Sequence, residues 1–250
     1  MSYYFFRDEQ NMKNVNTINN FFRRIRYSSY IFYINWKIKG KKIEPLHSKK
    51  SNLTHLFNKY GSDKGNLNNK HNYSNIYESL FDELKNKKLN FMEVGLGSID
   101  QNVNFHMKFM GKNYKPLASL YAWRDYFKKA NIYGADIDKK ILKNSKKIKT
   151  FYVDMLNPKS VNKMWKKINN KIDIFIDDGF HSFEANTILF NGSFKFLKKN
   201  GFYIIEDVHR KPSNIKKFYK YFLNKKIKFQ IIDLHHKNNV NDNCLIIIKK

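Results

Sequence analysis

From about residue 53 onward, short runs of β-branched and aromatic residues alternate with longer stretches that carry apolar side chains three and four positions apart. The short runs read as buried strands, and the longer ones as amphipathic helices. Strands are expected at 90–97, 132–138, 151–154, 172–176, 202–205, 228–234 and 245–248. Helices are expected at 75–88, 118–129, 157–168 and 213–223, the last with Pro212 suited to its start. In the helix over 118–129, Leu120, Trp123 and Phe127 share one face, which makes Trp123 a core residue and not a ligand contact. Phe190, Phe194 and Leu197 recur at helical spacing between the fourth and fifth strands. Strand–helix alternation of this kind builds a parallel sheet with helices on both faces. The last two strands are close enough in sequence to pair antiparallel.

Several strands end abruptly in acid. Ile172 to Ile176 runs into Asp177, Asp178, Gly179, Phe180 and His181, and Phe202 to Ile205 runs into Glu206 and Asp207. Open α/β sheets place ligands at the carboxyl ends of their strands. Neighbouring strands lie ~4.8 Å apart, so Asp178 can face Glu206 and Asp207 across one small site. An Asp-Asp-Gly turn is commonly only a turn; the matching acid pair on the next strand marks this one out. Asp177 alternates with Asp178 and is expected to turn away into a structural hydrogen bond. Asp136 ends the second strand, where a carboxylate can accept from a ribose diol, and Asp154 ends the third. Upstream, the loop Gly61-Ser-Asp63-Lys64-Gly65, with His71 and Tyr73 nearby, can close over such a site or be a solvated turn.

Composition changes this picture little. The 250 residues support one sizeable domain, and hydrophobic content of 42% is ample for its core. The single cysteine, Cys244, excludes an intrachain disulfide framework and reads as a packed thiol in a strand. The formal charge of +27 comes mostly from lysines spread along the chain, which is weak support for anionic partners and none for sequence-specific DNA binding. Residues 1–50 form a basic, aromatic extension, with clusters at Tyr3 to Phe6, Phe21-Phe22 and Tyr30 to Tyr33, arginines 23, 24 and 26, and an exit at Lys41-Lys42. A helix covering the domain 51–250, or a homo-oligomer contact, is placed ahead of a helix lying on a membrane surface. No run reaches the ~18 apolar residues of a membrane span, and no secretory signal is evident. A cytoplasmic protein is expected, with peripheral contact to the inner membrane face as the membrane alternative.

Asn90 to Gly97 reads as a strand entering a glycine turn, Glu93-Val-Gly95-Leu-Gly97, which lets the backbone approach a ligand closely. The third glycine of a dinucleotide-binding pattern is missing. Together with Tyr133-Gly-Ala-Asp136 and Asp154, this turn resembles the class I S-adenosylmethionine-dependent methyltransferases. More narrowly, the chain is similar to the metal-dependent sugar O-methyltransferases of macrolide biosynthesis, of the mycinamicin and demethylmacrocin type. The motifs that carry this are Tyr60-Gly-Ser-Asp-Lys-Gly, His71-Asn-Tyr73, Ser119-Leu-Tyr-Ala-Trp-Arg-Asp-Tyr-Phe, Ile176-Asp-Asp-Gly-Phe-His181 and Ile204-Ile-Glu-Asp207. They span roughly residues 53 to 210.

The resemblance implies a Rossmann-like, doubly wound, seven-stranded sheet, mostly parallel with the last strand antiparallel. It implies that Glu93, Gly95, Gly97, Ser119, Asp136 and Asp154 bind S-adenosylmethionine. Asp178, Glu206 and Asp207 would bind Mg2+, His181 would be the general base, and Asp63, Lys64, His71 and Tyr73 would belong to a substrate lid. The long loop from Ser98 to Lys115 departs from the family, so its contacts are not carried over. The chemistry is coherent: an all-oxygen donor set suits magnesium, and a histidine can accept a proton near neutral pH. The implied acceptor is the hydroxyl of a sugar or glycoconjugate, such as a surface polysaccharide, a nucleotide-sugar or a glycosylated small molecule. The lysine-rich surface leans toward a phosphate-bearing one. Two rivals stand beside this reading. A nucleic-acid methyltransferase would use the charge, but the tip of the fourth strand lacks the paired prolines expected of amino-group enzymes. A non-catalytic cofactor-binding module would have no use for Asp178, His181, Glu206 and Asp207 together.

Overall fold

The short apolar runs form one seven-stranded sheet: β1 (Asn90–Val94), β2 (Asn131–Asp136), β3 (Ile148–Tyr152), β4 (Ile172–Asp177), β5 (Leu197–Ile205), β6 (Gln230–Asp233) and β7 (Cys244–Lys249). This computed structural model describes residues 3–38, 51–66, 71–104, 106–234, 236 and 238–250, with side chains of the first helix described from residue 17. The side chains of the aromatic cluster at Tyr3 to Phe6, the Lys41-Lys42 exit and the expected boundary at residue 50 lie outside what is described. The sheet order is β3-β2-β1-β4-β5-β7-β6. The first five strands are parallel, and β7 runs antiparallel to both of its neighbours. The chain order therefore reverses between β1 and β4, and the ligand crevice of such a sheet opens at that reversal.

Strand periodicity divides the core in two. Met92 and Val94 face one side with Phe175, Tyr203 and Ile205. That side is covered by α1 (Tyr3–Ile38), α5 (Pro158–Ile168), α6 (Phe183–Ser193) and α7 (Pro212–Asn224). Phe91, Ile174 and Ile204 face the other side, under α2 (Asn52–Tyr60), α3 (Ser74–Phe81) and α4 (Ala118–Tyr126). Trp123 is fully buried there, against the rings of Phe57, Tyr77 and Phe91, and Cys244 is buried within β7. Helix starts follow local chemistry: Asn157 caps α5 with Pro158 behind it, and Ser182 accepts from the Ala185 amide at the start of α6.

Several boundaries differ from the sequence reading: β3 covers Ile148–Tyr152 and not 151–154, α4 ends at Tyr126 and not at 129, and two more have a local cause. Leu197 does not continue the helix; α6 stops at Ser193, a 3-10 turn over Phe194–Phe196 turns the chain, and Leu197 opens β5. The helix expected to reach Lys88 ends at Phe81 and tightens into a 3-10 turn over Asp82–Leu84. The first helix runs along the β6 edge. There the Asn35 amide donates to the Ile231 carbonyl at 2.6 Å and accepts from its N–H at 3.0 Å, replacing the neighbour strand that this edge lacks. No described helix is long and apolar enough to cross a membrane.

Candidate active site

Three strand tips meet at one point because their register aligns them. Val94 of β1 pairs with Asp177 of β4, and Asp177 pairs with Ile205 of β5. The residues just beyond, Gly95, Asp178 and Glu206, therefore leave the sheet side by side. Backbone bonds continue the alignment past the strands: the Asp178 N–H donates to the Val94 carbonyl at 2.8 Å, and the Glu206 N–H to the Asp177 carbonyl at 2.9 Å. Asp207 then takes a left-handed backbone conformation, φ +50°, which folds its carboxylate back over the tips. A cavity of about 460 Å³ opens here.

Lys64 lies beneath it. Its ammonium is ion-paired to Asp178 Oδ2 at 2.6 Å, to Glu206 Oε2, and to Glu93 Oε1 at 3.4 Å. Burial alone would drive the proton off, but Asp178, Glu206, Glu93 and Asp63 outweigh it and hold the Lys64 pKa well above the ordinary lysine value. The second Glu206 oxygen accepts from the Tyr77 hydroxyl. Burial pushes the Glu93 carboxyl up to about 7 against the pull of Lys64, and Ser119 donates to it at 2.8 Å.

The carboxylates facing the cavity are arranged differently. Asp207 Oδ1 accepts from the Tyr73 hydroxyl at 2.6 Å and lies 3.4 Å from His71 Nδ1; Asp207 Oδ2 lies 3.7 Å from His181 Nε2. His71 reaches Asp63 at 3.9 Å with its other nitrogen. Burial opposes a charge on His71, but Asp207 and Asp63 raise its pKa above the ordinary histidine value. Asp178, His181 and Asp207 each offer one ligand atom within 4.8 Å of the others, a geometry that could hold a cation.

The glycine turn forms the cofactor-sized part of the cavity. Gly95 has φ +95°, and a Cβ there would fall on the Asp178 carbonyl. Gly97 has φ +76°, and a Cβ there would fall on the Tyr114 hydroxyl. Asp136 accepts from the Leu96 N–H at 2.6 Å and the Asp138 N–H at 2.8 Å; it thus holds the turn while keeping lone pairs toward the cavity.

Of the residues singled out from sequence, Gly95, Gly97, Ser119, Asp136, Asp154, Asp178, His181, Glu206, Asp207, Asp63, Lys64, His71 and Tyr73 all line this cavity. Glu93 does not; it is fully buried beneath the floor. Asp177 turns inward and accepts from the Tyr203 hydroxyl at 3.2 Å. His209 lies outside the cavity, its Nδ1 accepting from the Lys211 N–H at 3.1 Å. Sequence reasoning gave no role to Tyr77, whose hydroxyl reaches Glu206 from α3 only in the folded chain. It also missed Tyr114, whose loop had no recognisable pattern although it folds back through the Leu117 N–H onto the Leu96 carbonyl at 2.8 Å.

This strand order, with the cavity at the β1, β4 and β5 tips, defines the class I methyltransferase fold. No protein-family model matches the chain. Over 159 residues it is 30% identical to 8-demethyl-8-alpha-L-rhamnosyl tetracenomycin-C 2'-O-methyltransferase from Streptomyces olivaceus, covering 62% of this chain and 37% of that protein. Over 162 residues it is 29% identical to demethylmacrocin O-methyltransferase from Streptomyces fradiae, covering 64% and 37%. The chain thus spans little more than a third of the length of the curated relatives it matches. Among solved structures it is similar to the MycE methyltransferase of the mycinamycin biosynthetic pathway, determined with Mg, SAH and mycinamycin VI. That match has a TM-score of 0.58 at 22% identity, over 81% of this chain and 55% of that one.

Proposed function

We propose that the protein is an S-adenosylmethionine-dependent O-methyltransferase acting on a sugar hydroxyl with the help of a divalent cation. The observation that carries this is the meeting, in one cavity, of the Gly95–Gly97 turn with Asp178, His181 and Asp207. The relatives are named as O-methyltransferases of a rhamnosyl tetracenomycin and of demethylmacrocin, and the rhamnosyl name supports a sugar-bearing acceptor.

The residues present fit both implied groups. Gly95 and Gly97 leave a cradle that side chains would fill, and Asp136 and Asp154 end the second and third strands on its rim. Asp178 and Asp207 would hold Mg2+; Glu206, the third carboxylate expected there, has its two oxygens taken by Lys64 and Tyr77 and is not among the ligand atoms that come together. When bound, these groups supply an electrophilic methyl and a lowered hydroxyl pKa. His181 is the base: it stands beside Asp207 at the cavity wall and takes the acceptor's proton, while Asp207 stabilises the imidazolium that results. Lys64, Tyr73 and Tyr77 keep the carboxylates from turning away between turnovers. The acceptor would be a polysaccharide, nucleotide-linked or glycosylated small-molecule sugar, and the charge of +27 favours a phosphate-bearing one.

Isothermal titration of S-adenosylmethionine into the purified chain, repeated with magnesium and with EDTA, tests the first step. Saturable binding is expected, followed by mass gain on a sugar acceptor in a screen. Absence of binding under every condition would remove the assignment.

A further inference from the structure

The first helix has two apolar faces, and the sheet uses only one. Tyr27, Ile31 and Ile34 are buried against the body. Polar contacts fix them there: Asn35 pairs with Ile231, the Ser28 hydroxyl donates to Asp233 at 2.6 Å, and the fully buried Arg210 joins Asp233 at 2.6 Å and Ser28 at 2.9 Å. From Thr17 to Ile38 the helix is therefore a fixed platform, and what lies on its far side is presented in a defined direction.

That far side is a straight apolar seam. Ile18, Phe22, Ile25, Ser29, Phe32 and Trp36 follow one another at steps of four and three, the 3.5-residue period of helices that pack along each other. Phe22 is 63% exposed, Phe32 74% and Trp36 69%. With Phe21 and Tyr33 at its margins, seven large side chains stand 44–74% exposed, which at about 150–250 Å² per large side chain leaves on the order of 800 Å² of mostly apolar surface in water. The largest patch on a typical monomer is about 300–600 Å², and each side of a stable interface buries about 800 Å². The flanking positions are Asn19, Arg26 and Tyr33 on one side and Phe21, Ser28 and Asn35 on the other, so only one of the six is charged. A helix made for a membrane surface carries its lysines and arginines on the face opposite the apolar one; here that opposite face is the buried one, with Tyr27, Ile31 and Ile34. A narrow, nearly uncharged seam fits another helix of the same kind.

We propose that this face is a homodimer interface, in which α1 of one chain packs along α1 of a second copy about a two-fold axis. Such an interface is isologous: the same seam serves both subunits, and the contact closes on itself. Two chains of charge +27 repel each other, but that repulsion is screened beyond about 8 Å at physiological salt, whereas the seam contact is apolar. Dimerisation should therefore tighten as salt rises.

Sedimentation velocity on the full chain, over a range of concentration at low and high salt, is the test. The chain should sediment at twice its own mass and dissociate more readily at low salt. F32E/W36E and, separately, F22E/I25E should each weaken the dimer at least about tenfold, or 1.4 kcal/mol. All four residues are exposed, so the circular dichroism and melting temperature of the monomer should be unchanged. A wild-type chain that stays monomeric throughout overturns the proposal. So does a dimer that neither double variant weakens. Flotation with phosphatidylserine vesicles gives the third outcome: a monomer that binds them at low salt, and loses them through F32E/W36E, assigns the seam to a lipid surface instead.

Discussion

Lys64 Nζ lies 2.6 Å from Asp178 Oδ2 although 114 positions separate the two residues, and it joins carboxylates from three different strands. The loop at residues 61–65 is thereby part of the floor of the site. A buried cation among carboxylates cannot be removed without leaving uncompensated negative charge, at a cost of roughly 3–5 kcal/mol. K64M keeps the stem of the side chain and removes the charge. In EDTA it should melt well below the wild type. Magnesium should recover more of the loss than it adds to the wild type, since a divalent ion can take over part of the neutralisation. Equal melting temperatures in EDTA would show that Lys64 is dispensable to the floor.

The two glycines of the turn should respond differently to alanine. At Gly95 the new Cβ meets the Asp178 backbone, which is fixed by its own bond to Val94 and cannot yield. Strain at φ +95° adds to the clash, so G95A should cost about 3 kcal/mol or more in a denaturant titration. At Gly97 the new Cβ meets the hydroxyl end of Tyr114 and, at 3.2 Å, Met107 Cγ; both belong to side chains that can swing aside, leaving about 1–2 kcal/mol of backbone strain. G97A should fold and bind S-adenosylmethionine more weakly. A G95A chain as stable as G97A would show that the Asp178 backbone is not a rigid wall.

Much of this was legible in the chain because it is written in short-range patterns. Short β-branched and aromatic runs ending in acid place Asp136, Asp178 and Glu206 at strand tips, and alternation with Asp178 turns Asp177 away from the site. Leu197 was misread because a helix and a strand can share an apolar residue at their junction, and only the 3-10 turn at 194–196 separates them. From sequence, Lys64 belongs to a glycine-flanked polar loop that can close over the site or be a solvated turn, and the resemblance implies a lid. Its burial follows from three acids that come together only in the folded chain. Tyr114 was out of reach for the same reason: its loop carries no periodicity, and its place over Gly97 is set by tertiary contacts.

Asp177 gives a pH dependence that can be isolated. Burial pushes its carboxyl up to about 7, with Tyr203, Asn186 and His181 pulling it part of the way back. An exposed aspartate in the unfolded chain titrates near ~3.9. Between those values the folded chain binds the extra proton, so stability falls as pH rises through the window. Glu93, also pushed up to about 7, acts in the same sense. D177N keeps an oxygen to accept from Tyr203 and removes one of the two groups. In EDTA, the wild type should lose about 1 kcal/mol more than D177N between roughly pH 6 and pH 8. Parallel pH profiles for the two proteins would place the Asp177 charge elsewhere.

The two histidines beside Asp207 should separate by role. His71 is wedged between Asp207 and Asp63, which hold it toward its charged form, and an imidazolium has no lone pair with which to take a proton. His181 stands on the turn after β4, with its Nε2 toward Asp207 and its side chain reaching the cavity. H181A should therefore lower kcat by roughly 10²–10⁴-fold, the range of a lost general base, with S-adenosylmethionine affinity unchanged. H71A should act mainly on melting temperature and on magnesium affinity, because it frees Asp207 from one of its partners. If turnover survives H181A and is lost in H71A at intact cofactor affinity, the base has been assigned to the wrong side of Asp207.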